Sequence, residues 1–256
     1  MILHDVTRGE GGTPLVLLHG LFGRAANFGA VSQRLAASRR VIALDLRNHG
    51  HSPHADAMDY PTMAADVIEM LAALDALPCV LAGHSMGGKV AMALALTQAH
   101  AVASLLVADI APVAYPSHFS GFVAAMLALP LLPGLTRAGA DAALAEAVPD
   151  AATRAFLLQN LRVGDAPTWT NNLPAIAAAL PTIEGWPPIA GQYAGPTLFV
   201  SGERSNYVLP DHRPTILAHF PAARFDVMPN VGHWLHAQDP NGFVARVDAF
   251  ASGVIA

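Results

Sequence analysis

Residues 79–94 read Cys79-Val80-Leu81-Ala82-Gly83-His84-Ser85-Met86-Gly87-Gly88-Lys89-Val90-Ala91-Met92-Ala93-Leu94. Cys79 to Ala82 is a short apolar run with β-branched character, as a buried strand requires. From Gly87 onward the sequence reads as a helix. Between them Gly83-His84-Ser85-Met86-Gly87 fits Gly-x-Ser-x-Gly, in which a strand turns sharply into a helix and holds a serine hydroxyl above the sheet. Gly83 and Gly87 lack a Cβ, so strand and helix can approach closely. The Met86 N–H falls at a helix N-terminus, where an oxyanion can be stabilised. Ser85 is therefore a candidate nucleophile and Met86 a candidate oxyanion donor. The plainer alternative is a Gly-rich strand–helix turn with a structural serine.

Outward from this stretch, strand and helix patterns alternate. Residues 14–19 read as a strand, and 27–37 as a helix with Asn27 as its N-cap. Residues 40–45 form the next strand. A helix runs from Tyr60 to about Leu77, with Val67, Met70, Leu71 and Leu74 on one face. Residues 104–109 form the strand after the Ser85 helix. Continuous apolar strands separated by helices imply an α/β fold, a mostly parallel sheet with helices on both faces. The rhythm changes after Asp109. Residues 112–194 hold helical patches and many prolines but no convincing strand, so they read as a helical cap inserted into a core of residues 1–111 and 195–256. Strands resume at 196–202 and 223–228, and a closing helix runs from about Asp239 to Phe250.

Composition narrows the function classes. The formal net charge is −5 and Lys89 is the only lysine, which argues against a nucleic-acid partner. No apolar run reaches the roughly 18 residues of a membrane span. The first residues lack the basic and apolar regions of a signal peptide, so a cytoplasmic location is expected. Cys79 is the single cysteine and sits in a central strand, where a small buried hydrophobe is expected rather than a reactive thiol. No His/Cys/Asp/Glu cluster has metal-ligand spacing, and no phosphate-binding glycine loop follows a strand. No metal and no cofactor is expected, and the oligomeric state, monomer or homodimer, stays open.

Four motifs occur in a telling order: His19-Gly20-Leu21-Phe22-Gly23, Asp45-Leu46-Arg47-Asn48-His49-Gly50-His51-Ser52, Gly83 to Lys89, and Val231-Gly232-His233-Trp234. Together with Asp109-Ile110-Ala111-Pro112-Val113, they resemble the α/β-hydrolase superfamily. The branch they look like is the bacterial YbfF-type esterases and their mitochondrial abhydrolase relatives. The resemblance covers nearly the whole chain, including Phe156-Leu157-Leu158 and Gly185-Trp186 in the cap. It implies an α/β-hydrolase fold, hydrolysis of an ester or thioester, and an acid at Asp109. Trp169-Thr170-Asn171-Asn172 departs from the family, whose close relatives are expected to carry an Arg there. That weakens the expectation of a polar or anionic substrate held by the cap.

A serine hydroxyl needs a base to take its proton. Of the 12 histidines, His233 follows the last strand, where the chain order Ser…Asp…His places the base. His236 reads as an exposed or supporting residue, His84 as packing, and His19 and His49 as loop braces. Ser205 occupies the more usual acid position, after the strand that follows the cap. Glu203 and Asp211 are the nearby carboxylates. Asp109 ends the strand beside the nucleophile strand and is favoured over Asp211. Its plain alternative is a loop brace at the mouth of the cap. Leu21 N–H is the first choice for the second oxyanion donor and Phe22 N–H the alternative, while Asp45 is expected to organise the Arg47–Gly50 turn. Phe119, Phe122, Met126, Leu127, Leu129, Phe156 and Trp186 would supply an apolar pocket, or else only hold the cap helices together.

The leading expectation is a serine esterase or thioesterase acting on a small molecule of short-to-medium acyl length through an acyl-enzyme. A C–C bond hydrolase and a cofactor-free perhydrolase could use the same three residues. A binding receptor on the same fold would have no need of them.

Overall fold

The computed structural model describes residues 1–253. Its centre is four short strands: β2 (Leu15–Leu18), β3 (Val41–Leu44), β4 (Cys79–His84) and β5 (Val102–Ala108). They are almost continuously apolar because helices cover both faces of the sheet. Edge strand β1 (Asp5–Arg8) pairs antiparallel with β3. Its Asp-Val-Thr-Arg carries no apolar pattern, which is why the sequence does not announce it. The exposed backbone edge of β3 is what recruits it.

Helix α1 covers Gly29–Leu35 and is preceded by a 3-10 turn at Ala25–Phe28. Asn27 is therefore not an N-cap; this corrects the expectation. The Ala25 N–H is bound by Asp45 Oδ1 at 2.6 Å, which starts the helical turn earlier. Helix α2 (Tyr60–Ala73) is capped by Asp59, whose side chain accepts the Thr62 N–H, with Pro61 in the first turn. It ends before Leu77 because Asp75 turns left-handed at φ 49° and the Ala76 N–H closes on Leu71 O.

Helix α3 (Met86–Thr97) follows β4 directly. A Cβ on Gly87 would lie 2.4 Å from Leu18 O, and one on Gly83 would lie 2.2 Å from Gly87 O. Only glycine permits this crossing of β4, α3 and the end of β2.

The segment after β5 forms helices α4 (Ser120–Ala128), α5 (Arg137–Leu144), α6 (Ala151–Leu158) and α7 (Leu173–Glu184). It also contains a two-stranded hairpin, β6 (Leu161–Arg162) with β7 (Thr168–Trp169), where the sequence shows no strand. Strands of two residues are too short for any periodicity to register. Val123, Met126, Leu157, Ile176 and Ile183 from this segment belong to the same core as Leu18, Leu81 and Val90.

Strand β8 (Thr197–Gly202), helix α8 (Arg213–His219), strand β9 (Ala223–Met228), the short helix α9 (Leu235–Gln238) and helix α10 (Pro240–Ala251) complete the chain. The main sheet runs β1-β3-β2-β4-β5-β8-β9, and every pair except β1/β3 is parallel. The C-terminal ends of β4, β5 and β8 thus lie side by side. That edge is where open parallel sheets gather their chemistry.

Candidate active site

Ser85 stands between β4 and α3 with φ 52° and ψ −122°, a region non-glycine residues seldom occupy. Its N–H donates to Ala108 O at 3.0 Å, which locks the turn to the end of β5. The next residue of that strand, Asp109, is also left-handed, with φ 54°, and its N–H donates to Val200 O at 2.8 Å. Three neighbouring strands therefore hold Ser85 and Asp109 by main-chain bonds. His233 arrives on the loop between β9 and α9. Its Nε2 lies 3.0 Å from Ser85 Oγ, and its Nδ1 lies 2.7 Å from Asp109 Oδ2.

Asp109 is fully buried, and further donors satisfy its carboxylate. The Gly202 N–H reaches Oδ1 at 3.0 Å, and the Ser205 hydroxyl donates to Oδ2. Ser205, expected from the sequence at the more usual acid position, hydrogen-bonds the carboxylate that stands beside the histidine. Asp211 is exposed in the 3-10 turn Pro210–His212 and makes no hydrogen bond or ion pair with His233. Glu203 is also exposed and accepts the Asn230 N–H instead.

Three further histidines, His84, His19 and His49, brace the loops around the site. His84 Nε2 donates to His233 O at 2.8 Å and so fixes the backbone of the loop that carries His233. Burial, then the neighbouring His236 and His233, hold His84 well below the ordinary imidazole range. His19 Nε2 accepts the Leu46 N–H at 3.0 Å. His49 Nε2 accepts the Phe22 N–H at 3.1 Å, and burial pushes this histidine down to about 3. A neutral His49 suits that acceptor role. His236 is half-buried, with its ring 4.8 Å from that of His84. Burial, then His233, lowers it to about 4.

These bonds separate the oxyanion candidates. The Phe22 N–H is committed to His49, which removes Phe22 from the donors. Among the described residues the Leu21 N–H makes no hydrogen bond, and the Met86 N–H, first in α3, has no intrahelical acceptor. Both residues border the space around Ser85.

A cavity of ≈ 230 Å³ opens over Ser85 and His233. Phe119, Phe122 and Phe156 line it, with Leu21, Phe22, Leu157 and Trp234. Met126 and Trp186 do not, and this corrects the expectation that they form the pocket. Met126 is wholly buried in the main core, and its carbonyl accepts the Trp169 indole N–H at 3.1 Å. Trp186 packs on Tyr60, ring centroids 5.9 Å apart. Leu129 lies in a separate small cluster and Leu127 is exposed. Tyr207, Trp234, Asn27 and Thr153 also line the cavity, a place the sequence does not assign to them. The Tyr207 ring stacks on His233 at 4.0 Å. The Gly-His-Trp motif could have flagged Trp234, but nothing in the sequence marks the other three.

A smaller pocket of ≈ 30 Å³ adjoins Ser85 and Met86 and is floored by Lys89. Lys89 is buried, and its ammonium donates to Gly185 O at 2.5 Å and Glu184 O at 3.3 Å, at the end of α7. Burial pushes it down to about 7. Cys79 is wholly buried, and burial raises its thiol to about 12, so it behaves as an inert core residue. No helix among the described residues is long and apolar enough to cross a membrane.

Comparison with known proteins finds relatives over nearly the whole chain. The profile of the Alpha/beta hydrolase family matches residues 15–247. The sn-1-specific diacylglycerol lipase ABHD11 of Mus musculus is 42% identical over 245 residues, covering 92% of this chain and 80% of that protein. Esterase YbfF of Escherichia coli (strain K12) is 36% identical over 236 residues, covering 92% of this chain and 91% of that one. Among solved structures, a marine microorganism esterase superposes with a TM-score of 0.94 at 33% identity, over 97% of this chain and 99% of the other.

Proposed function

The chain belongs to the alpha/beta hydrolase family, and from that premise we propose a serine esterase that works through an acyl-enzyme on Ser85. Its class is carboxylic-ester hydrolase. The observation that carries the mechanism is the unbroken relay from Ser85 Oγ through His233 to Asp109, with spans of 3.0 and 2.7 Å.

His233 Nε2 takes the hydroxyl proton as Ser85 Oγ attacks the carbonyl carbon. The N–H groups of Leu21 and Met86 receive the oxyanion. Asp109 fixes the tautomer of His233 and stabilises its imidazolium. The imidazolium then protonates the departing alcohol or thiol. Water repeats the sequence against the acyl-enzyme and releases the acid. Residues 112–194 serve as a cap that roofs the site with Phe119, Phe122 and Phe156.

Cavity size points to acyl length. A cavity of ≈ 230 Å³ walled by Phe119, Phe122 and Phe156 supports a short or medium apolar acyl chain.

A panel of p-nitrophenyl esters from acetate to palmitate, acyl-CoA thioesters and diacylglycerols, run on wild type and Ser85→Ala, tests the reading. Expected is a maximum at or below hexanoate to octanoate. Ser85→Ala should lower kcat by about 10⁴–10⁶-fold. Activity confined to ring-cleavage dienoates would move the assignment to C–C hydrolysis. Turnover by Ser85→Ala at the wild-type rate would end it.

A further inference from the structure

Away from Ser85, the fold brings His4, before β1, against two side chains that lie close together in sequence, Asp45 after β3 and His51 in the turn that follows. Their ligand atoms all lie within 4.8 Å of one another. His4 Nδ1 is 3.0 Å and His51 Nδ1 3.6 Å from the same oxygen, Asp45 Oδ2. We propose that His4, Asp45 and His51 form a binding site for a divalent transition-metal ion of the zinc class.

Two observations carry this beyond mere proximity. First, His4 Nδ1 is a buried atom without a hydrogen-bond partner, although Asp45 Oδ2 is 3.0 Å away. The two atoms are close but not aligned as N–H···O. Ligands of a shared ion stand in that relation, each aimed at a third point rather than at the other. Tetrahedral zinc with bonds of about 2.0–2.2 Å separates its ligand atoms by roughly 3.3–3.5 Å, and the spacings of 3.0 and 3.6 Å fall either side of that.

Second, the carboxylate is already held in place. Asp45 Oδ1 accepts the Ala25 N–H at 2.6 Å and Oδ2 accepts the His51 N–H at 2.8 Å. Such outer bonds orient a metal ligand. The imidazoles are the more open partners, with side chains 38% and 57% exposed, which leaves room for water to complete the coordination. Two imidazole nitrogens and one carboxylate oxygen favour zinc, nickel, cobalt or copper over magnesium and calcium, which take oxygen ligands.

The ion would tie three segments together: the residue before β1, the end of β3 and the turn at His51. Asp45 also holds Ala25, close behind the loop that bears Leu21, so binding would stiffen the base of that loop. The role is structural and separate from the Ser85 relay.

The test uses chelator-treated protein without a polyhistidine tag. Zinc chloride is titrated by calorimetry, magnesium chloride serves as control, and cobalt chloride is followed by its visible d–d bands. Expected are one zinc per chain at micromolar affinity or tighter, a raised Tm with zinc alone, and a tetrahedral-type cobalt spectrum. His4→Ala and His51→Gln should each weaken zinc binding by tenfold or more while the far-ultraviolet circular dichroism stays native. Should His4→Ala fail to fold, exposed His51→Gln carries the test alone. Three results would overturn the site. One is no saturable zinc binding, another is equal binding by magnesium, and the last is zinc affinity unchanged in a folded His51→Gln.

Discussion

In the proposed mechanism Asp109, at the end of β5, is the acid beside His233, and the Ser205 hydroxyl after β8 donates to its carboxylate. Asp109→Asn should leave the fold intact and lower kcat by about 10⁴-fold, the cost seen when the equivalent Asp of a serine protease is made neutral. Asp211→Asn should change turnover less than twofold. Steady-state kinetics on the two purified variants decides between the carboxylates. Ser205→Ala removes one donor from the Asp109 carboxylate, and kcat should fall by no more than about tenfold. A loss as large as that of Asp109→Asn would make Ser205 as necessary as the carboxylate itself. By accepting the Phe22 N–H, His49 leaves the Leu21 N–H as the donor on that loop that faces Ser85.

Among the elements, the β4–α3 crossing tolerates least. Gly87→Ala would drive a methyl to within 2.4 Å of Leu18 O, a main-chain atom that cannot swing aside. A loss of more than about 3 kcal/mol is expected in denaturant unfolding, or no soluble protein. The contact between α3 and α7 is pH-sensitive. Lys89, ordinarily near 10.5, is pushed down to about 7 by burial. From pH 7 upward the folded chain releases a proton that the unfolded chain still keeps, so stability rises with pH up to about 10.5. Wild type should gain stability relative to Lys89→Met across that window and show no relative change below it. Urea midpoints at four pH values would measure this.

The long apolar strands and the Gly-x-Ser-x-Gly turn were legible because burial on both faces writes itself into composition. The four-residue edge strand, the hairpin at Leu161–Trp169 and the true start of α1 were not, because backbone pairing or a distant side chain, Asp45, creates them. Chain order pointed to Ser85 and His233, while it fitted Asp211 as well as Asp109, and the strand beside the nucleophile strand, with the family resemblance, favoured Asp109. Tyr207, Asn27 and the approach of His4 to Asp45 and His51 owe their places to packing between remote segments, which no local spacing encodes.

For the molecule as a whole, acid is the vulnerable side. His49 is pushed down to about 3 and His236 to about 4, chiefly by burial, and His84 lies well below its ordinary range for the same reason. Each stays neutral when folded but takes a proton when unfolded once the pH drops below about 6.5. Stability should therefore fall steadily as pH is lowered from about 6.5 toward 4. His236 alone contributes on the order of 3 kcal/mol to that fall. His236→Phe should flatten the slope, and a Tm series from pH 7 to 4 on both proteins would show it. An identical slope in the variant would put the acid sensitivity elsewhere.

Helices α4 and α7 over Ser85 share the hydrophobic core of the sheet, and the end of α7 is pinned by Lys89. A roof built that way has no separate closed state for an oil–water boundary to release. Velocity should rise smoothly as a sparingly soluble ester passes its solubility limit. An abrupt jump at the onset of emulsion, the behaviour of a lipase with a detachable lid, is not expected, and tributyrin titrated across saturation would reveal one.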